Sequence, residues 1–120
     1  MLPNLKVFAT LLATSLPTNL RAEPVDPRLA TLILQDARLV RFVGVVEKAY
    51  PVSCDLPTTD RLEAEENCVG SGDFRSCYYK FLVSCGAFPG EGPHDLMVNA
   101  EYFPLGNFIL NLEATVGFRK

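Results

Sequence analysis

The chain has one histidine, four cysteines and no long apolar run, and each scarcity removes a class of function. No apolar stretch reaches the roughly 18 residues that a spanning helix needs. Zinc knuckles and redox dithiols both want two closely spaced cysteines, yet the spacing here is C-x13-C-x8-C-x7-C, with no C-x-x-C. No Lys/Arg cluster, aromatic-interleaved basic stripe or zinc-finger spacing is present, which argues against nucleic acid as a partner. The nucleophile-elbow order G-x-S-x-G, the dinucleotide and P-loop glycine patterns and the D-x-D-x-D-G calcium loop are all missing. With His94 alone, no complete catalytic constellation assembles from these spacings. No metal and no cofactor is implied, and no family's motifs match these residues.

What is present fits one small domain of 120 residues with a mildly acidic net charge of −3. The first 22 residues contain no acid. Lys6 and the amino terminus supply a positive start, and the stretch from Val7 to Leu16 is apolar apart from Thr and Ser. Pro17 breaks it, and Ala22 offers a small residue at a cleavage point. That arrangement predicts a signal peptide over 1–22 and a mature domain over 23–120, exported to a periplasm or an extracellular space. The bulky Leu20 departs from the usual cleavage pattern, and an amphipathic N-terminal helix is the competing reading. Processing would remove Lys6 and Arg21 but no acid, deepening the negative balance. An even number of cysteines in a short exported chain reads first as disulfides.

Asp26-Pro27 has the chemistry of a helix start, with Asp as cap and Pro where its missing N–H costs nothing. Leu29, Leu32, Ile33 and Ala37 share a face, which predicts a helix near 27–38. After Leu39 the phase changes, and the valines predict a strand near 39–47, one long helix to about 49 being the alternative. Asp60 and Glu63 have capping-box-like spacing and predict a short helix over 60–67. Residues 74–85 read as a strand and 86–95 as a Gly/Pro loop. Over 96–103 and 108–118 apolar and polar residues alternate around the turn 104–107, which predicts a β-hairpin. The resulting fold class is α+β: one N-terminal helix on a small antiparallel sheet of three to four strands, ending in a C-terminal β-hairpin and stapled by disulfides.

Reach narrows the three possible disulfide connectivities to two. An extended 74–85 would hold Cys77 and Cys85 roughly 26 Å apart, whereas a bridge needs Cα atoms within about 4.4–6.8 Å. The pairing 77–85 therefore fails and takes 54–68 with it. Of the two left, Cys54–Cys85 with Cys68–Cys77 is preferred, because the glycines at 70 and 72 allow local closure.

The candidate binding loop contains Ser71, Asp73 and Arg75, with Tyr78 and Tyr79 following on the strand and His94 in the second loop. Glu63, Glu65, Glu66 and Asp73 read as a solvated acidic face rather than a calcium site. The functional expectation is a non-catalytic binding, inhibitory or accessory domain acting through loops 68–77 and 86–95 on a protein or small ligand. The alternative is a small secreted hydrolase using His94 with Asp95 or Asp73.

Overall fold

The computed structural model describes residues 21–50, 52–86 and 93–118. The predicted signal peptide falls almost wholly outside the described residues, as does 87–92 of the predicted loop. In chain order the elements are β1 (Glu23–Pro24), α1 (Pro27–Leu34), α2 (Ala37–Ala49), β2 (Ser53–Asp55), β3 (Glu63–Val69), a 3₁₀ turn (Gly72–Phe74), β4 (Ser76–Gly86), β5 (Pro93–Phe103) and β6 (Phe108–Phe118).

Two helices stand where one was expected. Asp26 accepts from Arg28 N at 2.8 Å and Asp36 accepts from Arg38 N at 2.8 Å, so an Asp-x-Arg-Leu tetrad opens each helix. The break at Gln35–Asp36 resets the helical phase. Leu39, Val43 and Val46 then fall at helical spacing and are buried, while Arg41 and Lys48 face solvent. The predicted strand over 39–47 is thus helix α2. Its valines tolerate the helix because burying one face outweighs their modest propensity cost.

The sheet has six antiparallel strands, not three or four. Its order is β1-β3-β4-β5-β6, and β2 pairs with the far half of β4 beside β3. The predicted helix over 60–67 is mainly β3. The spacing of Asp60 and Glu63 caps no helix here: Ala64 is buried on the helix side, while Glu63 and Glu65 point the other way. The acidic face therefore does not form, since Glu66 lies on the side opposite Glu65.

The core lies between the helices and one sheet face. Ile33, Leu39, Val83, Leu96 and Val98 are its largest wholly buried side chains. From β4 the alternate residues Cys77, Tyr79, Phe81, Val83 and Cys85 enter it. The C-terminal hairpin pairs Phe103 with Phe108 and Leu96 with Val116. One correction concerns its phase. Between Glu101 and Tyr102 the register slips, leaving Leu110 as an extra residue on β6. Ile109 and Leu112 are consequently buried, whereas Phe108 and Leu110 are exposed instead of continuing the apolar face.

Both disulfides join residues directly opposed on neighbouring strands: Cys54–Cys85 across β2 and β4, and Cys68–Cys77 across β3 and β4. Of the two sets that reach leaves open, this is the one preferred for local closure at Gly70 and Gly72. The Cys54–Cys85 bridge is reinforced by α2, whose Glu47 accepts from Cys54 N at 2.7 Å.

Candidate functional site

Strand register brings two hairpin tips to one end of the sheet. Val69 pairs with Ser76, Cys77 with Tyr102 and Phe103 with Phe108. The β3–β4 turn and the β5–β6 turn therefore project side by side, roughly 10 Å apart at two strand spacings. The large apolar side chains there are uncovered: Phe74 82% exposed, Leu105 62%, Leu110 48%, Val69 47% and Phe108 45%. Single exposed apolar residues are ordinary, but here five of them belong to the two tips and the strand ends beside them, at one end of the sheet.

Each tip is held in shape. In the first, the Cys68–Cys77 bond closes the base and Phe74 N donates to Ser71 O at 3.2 Å. Gly70 has φ +88, and a Cβ there would lie 2.7 Å from Phe74 O, so only glycine lets the turn fold back on itself. In the second, Asn107 takes the left-handed φ of 55 and its Oδ1 accepts from the Tyr102 hydroxyl at 2.7 Å. Gly106 beside it does not take a positive φ. Its glycine is needed for room instead, because a Cβ would stand 2.4 Å from the Phe108 ring. Phe103 and Phe108 meet edge to face at 5.8 Å between centroids.

The predicted site residues divide accordingly. Ser71, Asp73 and Arg75 are exposed on the first tip. Tyr78 and Tyr79 do not form a pair, because they point to opposite faces of β4. Tyr78 lies on the open face opposite Glu101; a hydrogen bond to that carboxylate lifts its hydroxyl pKa above the usual range. Tyr79 is buried on the helix side. His94 belongs to β5 rather than to a loop and is the unpaired residue between Pro93 and Asp95, where the register slips. Strand β4 runs from Ser76 at the base of the first tip to Ser84 opposite Asp95, so His94 and Asp73 sit at opposite ends, more than roughly 26 Å apart along the strand.

A small cleft at the β1 edge of the sheet is not foreseen from the sequence. It holds about 290 Å³ between β1, the start of α1 and the edge of β3, and is lined by Glu23, Asp26, Leu29, Glu66 and Tyr79 among others. Tyr79 donates its hydroxyl proton to Glu66 Oε2 at 2.6 Å. Burial, then this bond, pushes the phenol well above its usual range, so it stays a proton donor. Glu66 pairs with Tyr79 and Cys68 with Cys77, which places Glu66 against the disulfide with donor atoms within 4.8 Å. The two sulfurs are bonded to each other, so neither offers a thiolate to a metal. The signal for this site was the i, i+2 spacing of Ala64, Glu66 and Cys68, legible once β3 is read as a strand.

Among the described residues, no helix is long and apolar enough to cross a membrane. No protein-family model, curated protein or solved structure matches the chain.

Proposed function

We propose that this chain is a small exported, non-catalytic binding domain that grips a protein partner with the two hairpin tips at one end of its sheet. The observation that carries the reading is the adjacency of two apolar, internally clamped turns, Phe74 leading one and Leu105 the other. A tip that is rigid before contact loses little entropy on binding, so more of the apolar burial remains as affinity. The partner must offer a concave apolar surface, since the tips project. Filling a cleft is also how such a domain would inhibit an enzyme or serve as an accessory subunit. Export is supported by the acid-free first 22 residues and by disulfides that an oxidising compartment would preserve.

The test compares capture of partner from the compartment of export by the parent chain and by Phe74→Ser and Leu105→Ser variants. Each tip variant should lower capture about tenfold or more, the size expected of an anchor residue. Val45→Ser, on the outer side of α2, should change nothing. Equal capture by all four chains would end the proposal.

A further inference from the structure

Strand β6 forms one edge of the sheet and is paired on one side only, with β5. Among the described residues both helices pack against β6, and the side-chain hydrogen bonds to its backbone come from Arg38. Arg38 of α2 donates to the Ile109 carbonyl at 2.9 Å and to the Leu110 carbonyl at 3.5 Å, covering the end nearest the tips. Beyond residue 110 the helix crosses away towards β2, where Glu47 meets Cys54. Among the described residues, no further hydrogen bond reaches the outward backbone groups of 111–117. That run contains no proline, no lysine and one charge, Glu113, so it lacks the usual guards of an open edge.

We infer that β6 pairs with β6 of a second copy of this chain, antiparallel across a two-fold axis at Ala114. In that register Leu112 of one copy stands opposite Val116 of the other on the helix side. Ala114 and Val116 are only half-buried in the single chain, although both pack against its core. The second copy's Leu112 and Ala114 cover what the helices leave uncovered. On the open face Glu113 stands opposite Thr115, and Asn111 opposite Gly117. Moving the axis to residue 113 would set Glu113 directly against its own counterpart, a like-charge pair that disfavours the slip. The match is made by one strand with itself, as an isologous interface requires. The two strands run in opposite directions, so the two pairs of tips project from opposite ends of the assembly. The dimer is therefore bivalent for whatever the tips bind.

The closing experiment uses charge at one exposed position. Thr115 faces solvent and lies opposite Met97 within its own sheet, so substitution there leaves the monomer folded. Sedimentation equilibrium of the purified, disulfide-bonded chain should show a concentration-dependent monomer–dimer equilibrium. Thr115→Glu places two like-charge pairs across the axis and should raise the dissociation constant about tenfold. Thr115→Lys places two opposite-charge pairs there and should lower it by up to about tenfold. The opposite signs from one position separate this interface from a general effect on folding. A chain that stays monomeric at millimolar concentration overturns the inference. So does association that both variants change equally or not at all, since pairing would then run through another surface, such as the β3 edge or the apolar tips. Neither result would touch the binding proposal for the tips.

Discussion

Arg38 donates to the carbonyl of Ile109 at 2.9 Å, and the same guanidinium is gripped by Asp36 at 2.8 Å. One residue thus joins the start of α2 to the irregular start of β6. Asp36 meanwhile caps the helix through Arg38 N. Replacing Asp36 with Ala removes both the cap and the clamp on the arginine and should lower stability by about 1–2 kcal/mol in urea unfolding. The matching change at Asp26 removes only a cap and should cost about half as much.

The same pair sets a pH dependence. The side-chain hydrogen bond to Arg38 holds the Asp36 carboxyl below its ordinary value of 3.8. Its contribution is therefore complete above that value and is lost as the pH falls through the lower folded-state value. Asp36→Asn should be less stable than the parent at neutral pH and converge with it in strong acid. Denaturant midpoints measured from pH 7 to pH 2 would show a constant gap if this linkage is absent.

At the alkaline end the group is Tyr79. Burial and the bond to Glu66 raise its pKa, so the folded chain keeps a proton that the unfolded chain gives up near pH 10. The stability from this group is present below pH 10 and is lost as the pH rises beyond it. Tyr79→Phe should cost about 1–2 kcal/mol at neutral pH and soften the alkaline decline. Spectrophotometric titration should show that the most resistant phenol of the parent is gone.

Half of this architecture is visible in residue patterns, and the rest is hidden for identifiable reasons. The C-terminal hairpin shows itself because alternation persists over some twenty residues around a turn. The disulfide pairing is narrowed to two sets by how far an extended strand separates two cysteines. Strand β3 hides because Asp60 and Glu63 imitate a helix start, although its acids suit a short strand near a sheet edge. The second helix hides because valine suggests strand, yet the repeated Asp-x-Arg-Leu tetrad announces it. The bulge at Leu110 leaves no local mark, since Phe108, Leu110 and Leu112 alternate as well as any strand. That bulge is what turns Leu110 and Phe108 outward, so this part of the binding end could be found only from the paired strands.

The two disulfides should differ in weight. Cys54–Cys85 spans 31 residues and Cys68–Cys77 spans 9. On loop-closure entropy alone the longer is worth about 3–4 kcal/mol and the shorter roughly 1 kcal/mol less. Urea unfolding of the Cys54→Ser/Cys85→Ser chain should therefore show the larger loss. The Cys68→Ser/Cys77→Ser chain should keep its fold but lose much of its partner affinity, because the first tip is no longer closed at its base.

The binding end is tested most directly by placing a photo-crosslinking residue at Phe74, at Leu105 and at Val45 in three otherwise identical chains. Each is exposed in its native compartment and illuminated, and the adducts are identified by mass spectrometry. If the two tips act together, Phe74 and Leu105 will join the same partner, at neighbouring points of one concave surface, and Val45 will not. Adducts from Val45 alone, or different partners from the two tips, would contradict the account.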